Sequence, residues 1–141
     1  MFKNTLLIAL MLLSFIGIGQ AGSTAVLGQW LTEIADAKIE IYQKQGKFHG
    51  RVVWIAEPND EDGKPKIDEH NPDQKLAKRP IMGIDILHGF TYDDGEWSGG
   101  FIYDPKKGET YECKLWIEDG TLKVRGYLGW LFDTKTWTKV K

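Results

Sequence analysis

Residues 81–118 read IMGIDILHGFTYDDGEWSGGFIYDPKKGETYECKLWIE, the most informative stretch of the chain about its architecture. Apolar and polar side chains alternate along it, and turn-forming residues interrupt the alternation at 93–95 and 107–108. Alternation with a period of two between such turns is typical of antiparallel strands joined as hairpins. The stretch therefore predicts three consecutive strands of a meander.

The same pattern continues on both sides of this stretch. Alternating segments at 38–42 and 48–55 flank a Gln45-Gly46 turn, and two more follow the turn at 119–120. With an opening strand around Trp30, the count reaches about eight strands. Glycines inside strands favour a sheet that bends, as a small closed barrel must. Such positions are Gly83, Gly99, Gly100, Gly126 and Gly129. We predict an all-β fold, an antiparallel up-and-down meander closed into a β-barrel, rather than an open sandwich.

The first 21 residues predict a secretory signal peptide. Lys3 precedes an apolar run at 6–18, and the small-residue pattern Gly19-Gln20-Ala21 follows it. An uncleaved membrane anchor is the alternative, but the run is shorter than the roughly 20 residues that span a bilayer. We expect export to the periplasm or the medium, one mature domain at 22–141, and no integral membrane span after cleavage.

Charge and cysteine content exclude several classes of protein. The chain has 141 residues, with 18 Lys and Arg against 20 Asp and Glu, and only one Cys. A net charge of −2 gives no basic footprint for nucleic acid, so no nucleic-acid partner is expected. A single Cys forms no intramolecular disulfide and no Cys-based zinc set. No cofactor or metal is predicted, and the oligomeric state is left open.

A polar segment interrupts the series of short turns at 57–80. It contains four of the five prolines, and a loop of this length is either a lid or binding loop or a disordered segment. Its acids resemble a calcium loop around Gly63, but Pro58 would occupy the first ligand position and cannot ligate through its side chain. A solvated acidic loop is the better interpretation.

Catalytic motifs are weak. Ser98 lacks the glycine spacing of a nucleophile elbow, and Cys113 lies within an apolar strand. His49, His70 and His88 are far apart in sequence. Asp85 and Asp104 could form an acid pair for general acid and base chemistry, although nothing in the sequence brings them together. We therefore expect a protein that is not an enzyme.

The two ends of the mature chain carry a matched pair of signals. Gly28-Gln29-Trp30 opens the first strand, and Lys139 lies near the end of the last. The first and last strands of a closed barrel are neighbours, so Lys139 can lie across the face of Trp30 in a cation–π contact. The combination is typical of lipocalins and related calycins, and it predicts that Trp30 plugs one end of the barrel.

A set of motifs in a fixed order covers nearly all of the mature chain. The motifs are GQW (28–30), GRVVWI (50–55), DEHNPD (68–73), RP (79–80), MGIDIL (82–87), WSGGFIYDP (97–105), GETY (108–111), LKVRGYLG (122–129) and TWTK (136–139). In this order they resemble the exported bacterial proteins of domain of unknown function 2147. That family usually has Arg at the position of Lys139. The resemblance implies a lipocalin-like barrel outside the cytoplasm with no established activity.

The resemblance also directs attention to the loop residues. Asn71-Pro72-Asp73 predicts a turn with an Asx-type cap, and Arg79 can pair with Asp68 or Asp73. Such a pair would pin the long loop, and a contact of these residues with a ligand is the alternative.

Candidate ligand contacts come from positions expected to face the barrel interior. Arg51 and Arg125 would need an acid or an anionic ligand head group there, and would have no such role if they face outward. The other interior candidates, which could equally be plain core, are Trp54, Trp97, Tyr103, Tyr111 and Leu115.

Three functions remain from the sequence. The first is an exported, non-enzymatic lipocalin-like barrel that binds a small hydrophobic or amphipathic molecule in its interior. The second is a cell-envelope interaction module with a packed core, which docks a partner through exposed Trp116, Trp130 and Tyr127. The third is a small barrel enzyme that uses Asp85, Asp104 or His88.

Overall fold

A computed structural model describes residues 22–141, and the predicted signal peptide lies outside this range. Every strand pairs antiparallel with the next along the chain, and the first pairs with the last. The predicted closed meander of eight strands is confirmed. Its strands are β1 (Gly28–Leu31), β2 (Ala37–Lys44), β3 (Lys47–Ile55), β4 (Asp85–Asp93), β5 (Glu96–Asp104), β6 (Glu109–Glu118), β7 (Thr121–Leu128) and β8 (Leu131–Lys139). Single 3₁₀ turns lie before β1 (Thr24–Val26) and between β3 and β4 (Leu76–Lys78).

Three two-residue turns define one end of the barrel, which we call the lower end. They are Gln45-Gly46, Asp94-Gly95 and Asp119-Gly120, and both residues of each turn have positive φ. That backbone conformation is the type I′ turn, whose twist matches the twist of a hairpin. The remaining connections, at 32–36, 56–84, 105–108 and 129–130, lie at the opposite, upper end.

Large side chains fill the lower half of the interior. Phe48, Phe90 and Trp97 are buried, and the rings of Phe48 and Trp97 meet edge to face at 6.3 Å. The Trp97 indole N–H donates to the carbonyl of Ser23, 3.2 Å away, which ties the segment before β1 to the core. The barrel is packed at this end rather than hollow.

The predicted contact between the chain ends is present. The Lys139 ammonium lies 4.6 Å from the centre of the Trp30 ring and donates to the carbonyl of Leu27 at 2.6 Å. The Trp30 indole N–H donates to the carbonyl of Val26 at 2.8 Å. Gly28 has a φ of +114°, which residues with a side chain rarely adopt, so this position favours glycine. A Cβ there would also lie 2.6 Å from the Lys139 nitrogen and would displace the ammonium.

Trp54 lies on the outside of the barrel, so its predicted interior position is wrong. Lys38 pairs with Trp54, whereas the next residue, Ile39, pairs with Val52, which leaves Val53 as a bulge. An extra residue reverses the alternation of a strand. Trp54 is therefore 39% exposed, and the Lys38 ammonium lies 4.9 Å above its ring.

Arg51 and Arg125 also face outward, contrary to the interior prediction. Arg51 lies between the inward-facing residues of β3 and donates through Nε to Glu40 at 3.0 Å. Arg125 donates through Nε to the Thr134 hydroxyl at 2.7 Å. Both guanidinium groups thus find partners on the wall's outer surface, where water also solvates them.

Tyr103 is buried, but on the outer side of the wall, so its predicted interior position is wrong too. Trp97 pairs with Leu115 and Gly100 pairs with Cys113, so β5 carries one extra residue between these pairs. Ile102 packs against the core, and its neighbour Tyr103 points the other way.

We expect Lys139→Met to lower the free energy of unfolding by about 1 to 3 kcal/mol, because it removes a cation–π contact and a charged hydrogen bond. Lys139→Arg should keep most of the stability, since a guanidinium also stacks on the ring. Urea unfolding measures both. Lys141→Met, at an exposed position, is the control, and an equal loss in the two Met variants would contradict the assigned role of Lys139.

Candidate functional site

The segment between β3 and β4 is folded and does not hang free from the barrel. Two isolated bridges, Asn59 with Pro65 and Ile67 with Pro80, pair parts of it with each other. The Asp60 carboxylate accepts the backbone N–H groups of Asp62 and Lys64, both at 2.9 Å. The acidic side chain at this position therefore shapes the loop itself.

Asp68 fastens this long loop to the barrel wall. Its carboxylate is fully buried and accepts the Tyr103 hydroxyl at 2.6 Å and the Asn71 amide at 2.9 Å. Arg79 donates to it through Nε at 3.1 Å, and the Nη2 of the same guanidinium lies 3.1 Å from the same oxygen in an ion pair. The predicted pairing of Arg79 with Asp68 is present, and so is the Asx turn, in which the Asp73 N–H donates to the Asn71 side chain.

The Tyr103 phenol acts as a donor at this junction. Burial, and then the hydrogen bond to Asp68, raises the pKa of Tyr103 to about 12. The phenol therefore keeps its proton throughout the physiological range, and the carboxylate beside it keeps its hydrogen bond.

The loop also contacts the turn between β5 and β6. A Cβ on Gly108 would lie 1.9 Å from the carbonyl oxygen of His70, so the two backbones touch where a side chain would not fit. The long loop therefore covers part of the outer wall.

A groove of about 400 Å³ lies where this loop returns to the wall at the start of β4. We call it the loop groove. Its lining combines apolar surface with one guanidinium, one carboxylate and one imidazole. The lining residues are Arg79, Pro80, Met82, Gly83, Ile84, Asp85 and His88. The groove thus brings Arg79 of the long loop close to Asp85 and His88, two of the residues that the sequence offered for a barrel enzyme.

A polar cluster on the outer face of β2, β3 and β4 continues from the groove. The Tyr42 hydroxyl donates to Asp85 at 2.8 Å, and the Tyr42 ring stacks on His49 at 5.6 Å. The Arg51 guanidinium lies 4.6 Å from the centre of the same tyrosine ring. The rings of His49 and His88 meet edge to face at 6.3 Å.

Burial sets the protonation of two members of the cluster. Loss of solvation lowers the pKa of His49, although the charge of Asp85 opposes this shift. The neutral imidazole accepts the Gly89 backbone N–H at Nδ1 at 3.3 Å. Burial and then the hydrogen bond to Asp85 raise the pKa of Tyr42. Tyr42 therefore holds Asp85 from one side and leaves the carboxylate to receive a ligand donor from the groove.

The predicted acid pair is not formed. Asp85 is bonded to Tyr42, whereas Asp104 accepts the backbone N–H of Lys106 at 2.9 Å and does not line the groove. Within residues 22–141 no three His, Cys, Asp or Glu side chains cluster in a way that could hold a metal ion. No helix in the described part of the chain is long and apolar enough to cross a membrane.

The other predicted interior residues lie on the inward face. Trp97 and Leu115 are buried in the core, and Tyr111 lies higher in the barrel, where its hydroxyl donates to Glu109. Gly126 and Ile102 lie near Tyr111 and are half-buried. The sequence prediction missed Tyr42 and His49, although both alternate with buried residues and so were readable as outward positions.

The sequence model of a family described as "Uncharacterized protein conserved in bacteria (DUF2147)" matches residues 28–139. The chain belongs to the DUF2147 family. The resemblance noted from its motifs is thereby confirmed.

One solved structure extends the comparison to the fold. The DUF2147 chain is similar to protein HP1028 from Helicobacter pylori, which is described as belonging to the lipocalin family. The two superpose with a TM-score of 0.71 at 22% sequence identity, over 82% of this chain and 83% of the other. At that identity the likeness establishes a lipocalin-like fold. A comparison with curated proteins finds no match.

We expect Asp68→Asn to lower the free energy of unfolding by about 2 to 4 kcal/mol, because it leaves Arg79 without its anion and disrupts a buried network. It should also expose residues 57–80 to limited proteolysis. Asp60→Asn, in an exposed turn of the same loop, should change the stability by less than about 1 kcal/mol. A loop equally protected in Asp68→Asn would contradict the fastening role.

The raised pKa of Tyr103 has a direct spectroscopic consequence. Folding favours the protonated phenol, so its contribution to stability is complete below the ordinary tyrosine pKa of about 10 and is lost as the pH rises through about 12. We expect ultraviolet titration of the phenolate to show a step near pH 12 that Tyr103→Phe diminishes. Tyr111→Phe should remove a separate part, because Glu109 raises the pKa of Tyr111 to about 12 as well. Ionisation of Tyr103 at about 10 in the folded protein would be inconsistent with its bond to Asp68.

Proposed function

We propose that this DUF2147 protein is exported and binds a small amphipathic molecule in the loop groove, without catalysing a reaction. The lipocalin-like fold fits small-molecule binding. The sequence pattern at 1–21, which predicts a signal peptide, supports export. We place the ligand in the loop groove because its volume of about 400 Å³ lies within the range of small-molecule sites.

The lining favours an amphipathic ligand. Pro80 and Met82 offer apolar contact, and Met82 is 44% exposed and free to pack against a ligand. Asp85 can accept a hydrogen bond from a hydroxyl or amine, and His88 can either donate or accept one. A ligand with an apolar body and one such polar group matches both halves of the surface.

The location differs from the sequence prediction, which placed the ligand in the barrel interior. Buried aromatic rings occupy the lower interior. Trp97 and Leu115 belong to that packing, and the two arginines that could have met an anionic head group face outward. In the groove, Arg79, Asp85 and His88 converge with apolar residues on open space.

A binding role is also favoured by the chemistry of the lining. Its seven residues include no Ser, Thr or Cys to serve as a nucleophile, and its single carboxylate is held by Tyr42 instead of by a second acid. Paired acids, or a nucleophile beside a base, are what hydrolytic sites use.

Native mass spectrometry of the protein purified from its own host tests this function. We expect a reproducible adduct of a small molecule, which Met82→Trp abolishes by filling the groove. Ile34→Trp places the same ring at a position that is 68% exposed in the β1–β2 turn, and should leave the adduct unchanged.

Gly126→Val distinguishes binding in the loop groove from binding in the barrel interior. A Cβ at Gly126 would meet Tyr111 and Ile102 at 3.7 and 3.8 Å, so a larger side chain there would take up space in the upper barrel. Loss of the adduct in Gly126→Val, with retention in Met82→Trp, would place the ligand in the interior and overturn the groove proposal. A clean apo mass, with no fluorescence response to fatty acids, would contradict ligand binding altogether.

A further inference from the structure

The upper part of β8 is an open sheet edge. β1 has only four residues and pairs with β8 at two positions, Trp30 with Lys139 and Leu31 with Thr138. From 131 to 136, β8 pairs with β7 on one side, and no strand of the described chain pairs with it on the other. Unpaired N–H and C=O groups along such an edge are a template for another strand.

One hydrogen bond establishes which backbone groups point to the open side. The Thr136 N–H donates to the Glu33 side chain at 3.0 Å, so it points away from β7. Alternate residues of a strand share this direction. The N–H and C=O groups of Phe132 and Thr134 therefore also point away from β7, toward the open side. On the other side of β8, pairing with β7 is continuous up to Leu128 and Leu131.

Exposed apolar side chains adjoin this edge. The turn between β7 and β8 and its flanks are the most exposed apolar surface of the described barrel. Their exposed fractions are 67% for Leu128, 87% for Trp130, 51% for Leu131 and 59% for Phe132. Leu128 and Leu131 are paired on one face of the sheet, and Phe132 lies on the other face. Exposed apolar side chains beside an unpaired edge are typical of a surface that another protein chain covers.

We propose that this edge pairs with the same edge of a second copy of the chain, the two β8 strands running antiparallel about a two-fold axis at Thr134. In this register Thr134 lies opposite Thr134 of the second copy. Phe132 lies opposite Thr136, which offers its C=O to the Phe132 N–H while its own N–H stays bonded to Glu33. All three are residues whose backbone groups point to the open side. The result is a continuous sheet of β7 and β8 from both copies, an isologous interface.

Charge selects this register. Asp133 and Lys135 flank Thr134 on the inward face, opposite Gly126 and Val124 of β7, and both are more than half exposed. With the axis at Thr134, each Asp133 lies opposite a Lys135. With the axis one residue away on either side, Asp133 would face Asp133 or Lys135 would face Lys135, and like charges directly opposite each other are destabilising.

Glu33 sets the limit of the paired stretch. Its carboxylate caps the Thr136 N–H and lies 3.9 Å from the Lys135 ammonium. Beyond that point β1 takes over the pairing with β8. The open edge is therefore short, and the apolar flank at Leu131 and Phe132 must add to its backbone hydrogen bonds.

Sedimentation equilibrium of the full-length chain, processed as its host processes it, measures the dimer directly. We expect Thr134→Pro to make the protein monomeric, because proline removes an edge N–H while the N–H side of an edge strand tolerates it structurally. Thr134→Val is the matched control. It also loses the hydroxyl that Arg125 contacts but keeps the N–H, so it should still dimerise.

Charge reversal tests the register. Lys135→Glu should raise the dimer dissociation constant at least about tenfold, since it places like charges opposite each other twice. The double variant Asp133→Lys with Lys135→Glu should restore dimerisation, because opposite charges face each other again. Thermal unfolding of each variant verifies that it is folded.

Several outcomes would overturn the proposal. They are a wild-type chain that is monomeric at every concentration, a dimer that persists in Thr134→Pro, and a double variant no better than Lys135→Glu. Binding of the monomer to phosphatidylcholine vesicles, lost in Trp130→Ser, would assign the apolar turn to a lipid surface instead. The groove variant Met82→Trp should dimerise like the wild type, so the two proposals fail independently.

Discussion

Closure of the sheet between β1 and β8 is the constraint on which the rest of the structure depends. Only two residue pairs join these strands, and the stacked Trp30 and Lys139 lie at one of them. An open sheet would have two unpaired edges and would expose the aromatic side chains of the core to water. Because the contact is so short, much of the closure rests on two side chains, the Trp30 indole and the Lys139 ammonium. They donate to the backbone carbonyl groups of Val26 and Leu27.

The shortness of β1 also explains where the barrel wall is closed and where it is open. Below the end of β1 the wall is continuous and the interior is packed. Above it, β8 loses its neighbour and the wall is open on that side. On the other side of the barrel the long loop covers the outer wall and creates a groove there. The open edge of β8 thus exists because its pairing with β1 stops early, and the loop groove exists because the long loop packs against the outer wall.

Local patterns in the sequence account for the fold and for some of the side-chain placements. The strands, turns, chain-end plug and inward position of Leu115 follow from uninterrupted alternation and from neighbouring chain ends. Trp54 and Tyr103 were misplaced because one extra residue in β3 and one in β5 reverse the alternation, and a bulge has no reliable signal in a single sequence. The polar cluster was unpredictable for another reason. Its contacts depend on the register of β4 against β3, and a long loop separates these strands.

The three type I′ turns have a consequence for the order in which the chain folds. Each joins strands adjacent in sequence, so the hairpins can form locally and at little entropic cost. Closure instead joins residues from opposite ends of the domain, which makes it the contact of greatest loop length. We expect a hairpin-rich open sheet to precede the barrel during folding. Until Lys139 reaches Trp30, such an open sheet has two unpaired edges, which are the parts of a partly folded chain most prone to aggregation.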